Sequence, residues 1–156
     1  MYLIEHGLLK LGHLSNHQLK LKKIFERIQQ LIELHSPKEM AIEAPFFGKN
    51  VQSMLKLGRA QGVAIAAAMT KNVEVTEYAP KRIKQSVTGN GNASKEQVAA
   101  MIEKILNTKI EKSTFDSTDA IAAAICHYYQ STSVLGKITQ KGGWKSFIKD
   151  NPDRVK

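Results

Sequence analysis

Three carboxylates occupy positions from which they could hold a metal ion. Glu43 ends an apolar stretch that we predict to be a buried strand, and α/β sheets present ligands at strand ends. Asp116 and Asp119 are three residues apart at a predicted helix start, so they share a face about 5–6 Å apart. If that helix packs beside the strand, the three groups repel one another and require a hard cation such as Mg²⁺. Two such ions about 4 Å apart would serve in-line hydrolysis of a phosphodiester.

Each carboxylate also has a purely structural interpretation. Acidic residues in the first turn of a helix often only complement the helix dipole, which would account for Asp116 and Asp119. Glu43 by itself could be a solvated charge at a strand end. The metal interpretation therefore depends on the fold bringing the three residues together.

Basic residues are concentrated in the middle of the chain. The formal net charge is +9 over 156 residues. Residues 44–95 hold eight Lys or Arg against two Asp or Glu, residues 96–130 hold three against five, and residues 131–156 hold six against two. A solvated basic surface is one explanation. The central concentration beside an acidic stretch instead favours a polyanion partner with a separate acidic site.

Composition limits the class of protein. The length suggests one domain, and 42% hydrophobic residues are enough for a core. No apolar run reaches the roughly 18 residues of a membrane helix, and the first residues lack the pattern of a secretory signal. One cysteine, Cys126, excludes a disulfide framework and a cysteine zinc cluster. We expect no membrane contact and a cytoplasmic location.

The hydrophobic pattern predicts alternating strands and helices, which is an α/β arrangement. Ser15 or Asn16 can cap a first amphipathic helix that ends at Pro37. The predicted strands are residues 6–11, 39–43 and 73–78, and the later helices are residues 51–69, 94–106 and 117–129. Their predicted caps are Asn50, the capping box Ser94-x-x-Gln97 and the pair Ser113-x-x-Asp116, with a basic segment at 81–84 and a turn at 89–92.

Two glycines lie on one face of the predicted helix 51–69. Gly58 and Gly62 are four residues apart, and each costs roughly 1 kcal/mol of helix stability relative to alanine. Close packing against another element would explain them. That element could be the sheet or a second subunit.

Several segments together resemble the RuvC family of Holliday-junction resolvases. They are Ala41–Asn50, Leu55–Ala64, Tyr78–Pro80, Ile83–Gln85, Gly89–Val98 and Asp116–Ala124. The match runs from about His6 to Tyr129. It implies an RNase H-like fold, a homodimer, and symmetric paired nicking of four-way DNA junctions in recombination and repair. It also implies two Mg²⁺ ions per site, with Mn²⁺ a possible substitute, and partnership with the branch-migration helicase complex.

The resemblance assigns roles to individual residues. It makes Glu43, Asp116 and Asp119 catalytic metal ligands, Phe46 an aromatic that stacks on an unpaired base, and Lys84 and Lys95 contacts to the scissile phosphate. It also implies that Lys49 and Arg82 bind DNA and that Gly58 and Gly62 lie in the dimer interface. A core position for Phe46 and solvated charges at the lysines are the alternatives.

The sequence departs from the family pattern at its start. The family opens with a strand bearing hydrophobic-Gly-Ile-Asp-Pro-Gly, whose aspartate is the first metal ligand, and this sequence begins after it. We therefore expect a resolvase domain at residues 1–130 that lacks the first strand and most of the second, some 25–35 residues, followed by a basic tail at residues 131–156. A damaged or inactive enzyme, arising from a misplaced start or a fragment, is the expectation.

Two other functions remain open at this stage. The chain could be a junction-binding protein that does not cleave, because the first aspartate is absent. It could also be a related RNase H-like domain that acts on RNA or another nucleic acid. We expect His127 to be a buried structural histidine and Cys126 a core residue, while Trp144 in the tail has no motif that assigns it a role.

Overall fold

The computed structural model describes residues 1–45, 50–110 and 115–132, without the side chains of residues 115 and 116. The elements, in chain order, are α1 (His17–His35), β1 (Glu39–Glu43), α2 (Val51–Met69), β2 (Glu74–Tyr78), α3 (Pro80–Thr88), α4 (Lys95–Leu106) and α5 (Phe115–Thr132). Most of these elements are helices, and the two strands alternate with helices along the chain. Among these elements no helix is both long enough and apolar enough to cross a membrane.

The two strands form a parallel pair joined through α2. Glu39 pairs with Glu74 at one end and Glu43 pairs with Tyr78 at the other. The backbone N–H of Ala44 donates to the carbonyl of Tyr78 at 2.9 Å, which extends the pairing one residue past β1. Because the strands are parallel, both carboxyl ends lie at the same edge, where Glu43 is exposed.

The core lies where α3, α4 and α5 pack together and α5 packs on β1. Its members are the apolar side chains of these elements and of their connections, among them Tyr78, Ile83, Val87, Ala93, Val98, Ile102, Ile110, Ile121, Ile125 and Cys126. Cys126 is fully buried, as predicted. Elsewhere α1 packs against α2, and three alanines of α2 are buried while no residue of α1 is. Helix α5 therefore connects the core to the strand that carries Glu43.

Most predicted boundaries are confirmed, because local signals specify them. The side chain of Asn16 caps α1 and that of Asn50 caps α2. The predicted capping box is complete at α4, where Ser94 accepts from the N–H of Gln97 and the Gln97 side chain accepts from the N–H of Ser94. The Ser113 cap lies outside the described residues.

The predicted strand at residues 6–11 is wrong. These residues form no regular structure, and Leu8 and Leu9 are exposed. A short apolar segment makes a strand only when a neighbouring strand accepts its backbone hydrogen bonds, and in the described chain β1 pairs with β2 alone. Leu3 instead packs against the core as part of an irregular segment.

The basic segment after Pro80 is a helix that the sequence interpretation missed. Pro80 occupies the first turn, where its missing N–H costs nothing, and Gly89 ends the helix at φ +76°. Ile83 and Val87 are four residues apart and both buried. Because Ile83 stands among lysines and an arginine, the sequence pattern did not indicate a helix here.

The two glycines of α2 do not pack against another part of the described chain. A Cβ built on Gly58 or on Gly62 meets no atom within 4 Å. Packing against the sheet is therefore wrong as an explanation. The second alternative, packing against another subunit, stays a prediction.

Candidate active site

The start of α5 lies beside the carboxyl end of β1. Asp119, in the first turns of α5, is close enough to Glu43 for its negative charge to act on that carboxyl. Two helical turns later His127 reaches Glu39 at the opposite end of β1. Helix α5 therefore runs antiparallel to β1, and this places Asp119 over the exposed end of the strand.

The surroundings of Glu43 disfavour the ionised form of its carboxyl group. Desolvation by the surrounding protein raises the pKa of Glu43 above its ordinary 4.5, and the negative charge of Asp119 raises it further. The positive charges of Lys95 and Lys84 oppose both effects. Two carboxylates and two ammonium groups thus form one interacting set, which we call the acid–lysine cluster (Glu43, Asp119, Lys84 and Lys95).

Lys95 contacts Asp119 directly. Its Nζ lies 3.2 Å from Asp119 Oδ2, and the side chains are 55% and 41% exposed, so water still reaches both groups. Lys95 is the first residue of α4, directly after the Ser94 cap. The capping box therefore fixes the point from which this lysine reaches across to α5.

Lys84 is anchored differently. Its Nζ donates to the carbonyl of Ala93 at 2.8 Å, which ties α3 to the loop before α4. The charge still acts on the pKa of Glu43. The two lysines of the cluster thus differ in their hydrogen-bond partners, since one binds backbone and the other binds a carboxylate.

Within the part of the site that the structure describes, two carboxylate side chains could bind a metal ion. Glu43 and Asp119 carry hard oxygen ligands, and their mutual repulsion is the kind that a divalent cation relieves. Within the described residues there is no group of three or more His, Cys, Asp or Glu side chains that could hold a metal. The backbone of Asp116 lies in the first turn of α5, but its side chain is outside the description, as are Phe46 and Lys49.

Arg82 is not part of the acid–lysine cluster. Its Nη2 donates to Gln130 Oε1 at 2.7 Å, and its guanidinium carbon lies 5.8 Å from the centre of the Tyr78 ring. Gln130 is eleven residues beyond Asp119 on α5, a distance of about 16 Å along the helix axis. The structure therefore places Arg82 at the other end of α5.

His127 is structural, as expected, although its side chain is 18% exposed rather than fully buried. Its Nδ1 lies 2.9 Å from the Tyr78 hydroxyl, and its Nε2 lies 2.9 Å from Glu39 Oε2. The imidazole thereby connects α5 to both strands. The sequence gives no local signal for these partners, because they are 49 and 88 residues away.

Comparisons with known proteins agree on one family. The family model described as "Crossover junction endodeoxyribonuclease RuvC" matches residues 1–127. A protein of that name from Cytophaga hutchinsonii is 62% identical over 99% of this chain and 76% of its own length. The one from Porphyromonas gingivalis is 53% identical over 99% of this chain and 84% of its own length.

Solved structures give the same answer. RuvC from Thermus thermophilus superposes with a TM-score of 0.75 at 28% identity, covering 83% of this chain and 78% of that one. A structure of the same protein in complex with a Holliday junction substrate gives a TM-score of 0.78 at 28% identity, with coverages of 83% and 79%. The α/β, RNase H-like fold class implied by the sequence is therefore confirmed. The chain belongs to the RuvC family of crossover junction endodeoxyribonucleases.

Proposed function

We propose that this chain is a structure-selective endonuclease that resolves four-way DNA junctions by paired symmetric nicks in recombination and repair. The observation that supports it is the acid–lysine cluster at the exposed end of β1. Carboxylates that repel one another can hold cations, and lysines beside them can hold the phosphate that is cut. We place this activity in the cytoplasm, where junction DNA would be found.

Glu43, Asp116 and Asp119 are the residues that would hold divalent ions, two Mg²⁺ or Mn²⁺ per site. Such ions supply charge neutralisation at the phosphate and lower the pKa of attacking water. The chain itself supplies the carboxylate oxygens and, from Lys84 and Lys95, two positive charges near the same point. Asp119 can serve as a metal ligand, or it can act as a base without contacting the metal directly.

DNA binding would depend on the positive charge of the chain and on the residues that the family resemblance assigns. The net charge of +9 favours binding to a polyanion. The affinity for DNA should fall steeply as the salt concentration increases. Phe46 and Lys49 lie outside the described residues. Phe46 is proposed to stack on an unpaired base and Lys49 to bind DNA. Arg82, at the far end of α5, is proposed to contact an arm of the junction.

Symmetric nicking requires two copies of the active site. We propose a homodimer formed through α2, whose glycines Gly58 and Gly62 have no neighbour in the described chain. Val51 and Leu55 lie on the same face of this helix as the two glycines and are 63% and 51% exposed. An apolar helix surface of this kind can accept a second subunit. A helicase complex that moves junctions is the proposed further partner.

A cleavage assay tests the proposal. A labelled four-way junction and a linear duplex of the same sequence are incubated with the chain in Mg²⁺ or Mn²⁺. We expect paired nicks in the junction alone and loss of nicking in Glu43→Gln. Glu74→Gln, at the opposite end of the strand pair, is the matched control and should cut normally. Equal cutting by Glu43→Gln and the unsubstituted chain would contradict the proposal.

A second candidate is a junction-binding protein that does not cleave. It would depend on the basic charge of the chain and would need no metal ion at Glu43 and Asp119. The same experiment separates the two functions. Salt-sensitive binding of the junction without nicking in either metal would establish the second.

A further inference from the structure

The ammonium group of Lys95 is hydrogen-bonded to a carboxylate oxygen that a metal ion could bind. Lys95 Nζ lies 3.2 Å from Asp119 Oδ2, within hydrogen-bond reach of a carboxylate proposed as a ligand. Its charge also lowers the pKa of Glu43, so the same lysine acts on both described carboxylates. Lys95 therefore neutralises part of the acidic site from within the chain.

A lysine and a divalent cation cannot use that oxygen equally well at the same time. Mg²⁺ binds carboxylate oxygen at about 2.0–2.1 Å and demands near-octahedral geometry around it. An ammonium held at hydrogen-bond distance from the same carboxylate would meet a double positive charge within a few ångströms and would be repelled by it. This repulsion favours movement of one of the two cations away from Asp119.

Lys95 is the cation that can move. Its side chain is 55% exposed, and its long flexible stem extends from the first residue of α4. Lys84 instead donates to the backbone carbonyl of Ala93, a bond that a metal at Asp119 would leave intact. The two lysines of the cluster are thus expected to respond differently to a cation.

We propose that Lys95 is an internal counter-ion of Asp119 that a divalent cation displaces when it enters the site. This inference rests on the proposed function, since it assumes that Asp119 and Glu43 bind metal. The affinity of the site for metal would then depend on competition between the metal and Lys95. Removing the competitor should strengthen metal binding.

Mn²⁺ binding in the absence of DNA tests the proposal. The fraction of bound Mn²⁺ is measured by electron paramagnetic resonance at constant ionic strength, on the full chain and its variants. Lys95→Met should bind Mn²⁺ about fivefold more tightly, which corresponds to the upper range for an exposed ion pair. Lys95→Arg keeps the charge and should stay near the affinity of the unsubstituted chain. Lys104→Met, in the last turn of the same helix, is the control and should change nothing.

The possible results separate the inference from the function beneath it. Unchanged or weaker Mn²⁺ binding in Lys95→Met, or equal tightening in Lys95→Arg, would overturn the role of Lys95 while leaving the metal site in place. If the unsubstituted chain binds no more Mn²⁺ than Glu43→Gln does, the metal site itself is refuted. Thermal melting of each variant without metal confirms that the comparison is made on folded protein.

Discussion

The rings of Tyr78 and His127 meet edge to face, with centroids 5.8 Å apart and an angle of 64° between their planes. The Tyr78 hydroxyl lies 2.9 Å from His127 Nδ1, and the other ring nitrogen of His127 lies 2.9 Å from a carboxylate oxygen of Glu39. This contact fixes α5 to β2 and, through Glu39, to β1. It therefore helps to hold the opposite end of α5, with Asp119, against Glu43.

Tyr78→Phe should destabilise the chain. The substitution keeps the ring but removes the hydroxyl, and Tyr78 is only 6% exposed, so His127 Nδ1 loses a partner that water replaces poorly. We expect the free energy of unfolding to fall by about 1–2 kcal/mol, measured by urea denaturation. Tyr2→Phe, at a side chain that is 80% exposed, is the control and should have no effect. Equal stability of the two variants would show that the hydroxyl contributes nothing.

Stability should depend on pH through Glu43. The raised pKa means that the folded chain binds this proton more tightly than the unfolded chain, so stability falls as pH rises from about 4.5 through the raised value. Glu43→Gln cannot ionise and escapes this loss. We expect its melting temperature, relative to the unsubstituted chain, to increase across that interval and then level off. A constant difference between pH 4 and pH 7 would contradict the raised pKa.

The individual causes of the Glu43 pKa can be separated by NMR titration of the carboxyl carbon. Asp119→Asn should lower the pKa of Glu43, because a neighbouring negative charge is lost. Lys95→Met should raise the pKa further, since a compensating positive charge is lost. Opposite directions for the two variants are the expected result. Shifts in the same direction would mean that the acid–lysine cluster is not formed in solution.

Ser94→Ala should destabilise the start of α4. The variant loses the hydroxyl that accepts from the N–H of Gln97, and caps of this kind contribute about 1 kcal/mol. Because Lys95 follows directly, the pairing with Asp119 should weaken as well, which two-dimensional NMR of the lysine side chain can follow. Ser53→Ala, at an exposed position in the first turn of α2, is the control. Equal free energies of unfolding for both variants would refute the capping role.

Alanine at Gly58 or Gly62 should distinguish the monomer from the proposed dimer. Because a Cβ at either position meets no neighbour, alanine should raise the stability of the folded chain by about 1 kcal/mol through helix propensity. If a second subunit packs there, the same methyl groups should weaken association, measured by sedimentation equilibrium. Gly91→Ala is a contrasting variant, because its Cβ would lie 3.1 Å from the Lys81 carbonyl oxygen and should destabilise. Unchanged association in Gly58→Ala and Gly62→Ala would place the dimer interface elsewhere.

Local signals were predictable from the sequence, and contacts between distant segments were not. The Asn50 cap and the Ser94 capping box each depend on residues within four positions, so their pattern is visible directly. The strand expected at residues 6–11 required a partner strand, which the local sequence cannot guarantee. The proximity of Glu43 to Asp119 was anticipated only on the condition that α5 packs beside β1. The contact between His127 and Glu39 joins residues that are 88 positions apart, and no local sequence pattern indicates it.

The length of α5 has a consequence for how the chain would lie on DNA. One helix carries Asp119 near its start and holds Arg82 through Gln130 near its end, about 16 Å apart along the axis. The rise of duplex DNA is about 3.4 Å per base pair. A rigid helix of this span therefore corresponds to about five base pairs. If Arg82 binds a duplex arm as proposed, that contact would lie up to half a helical turn of DNA from the phosphate proposed to be cut.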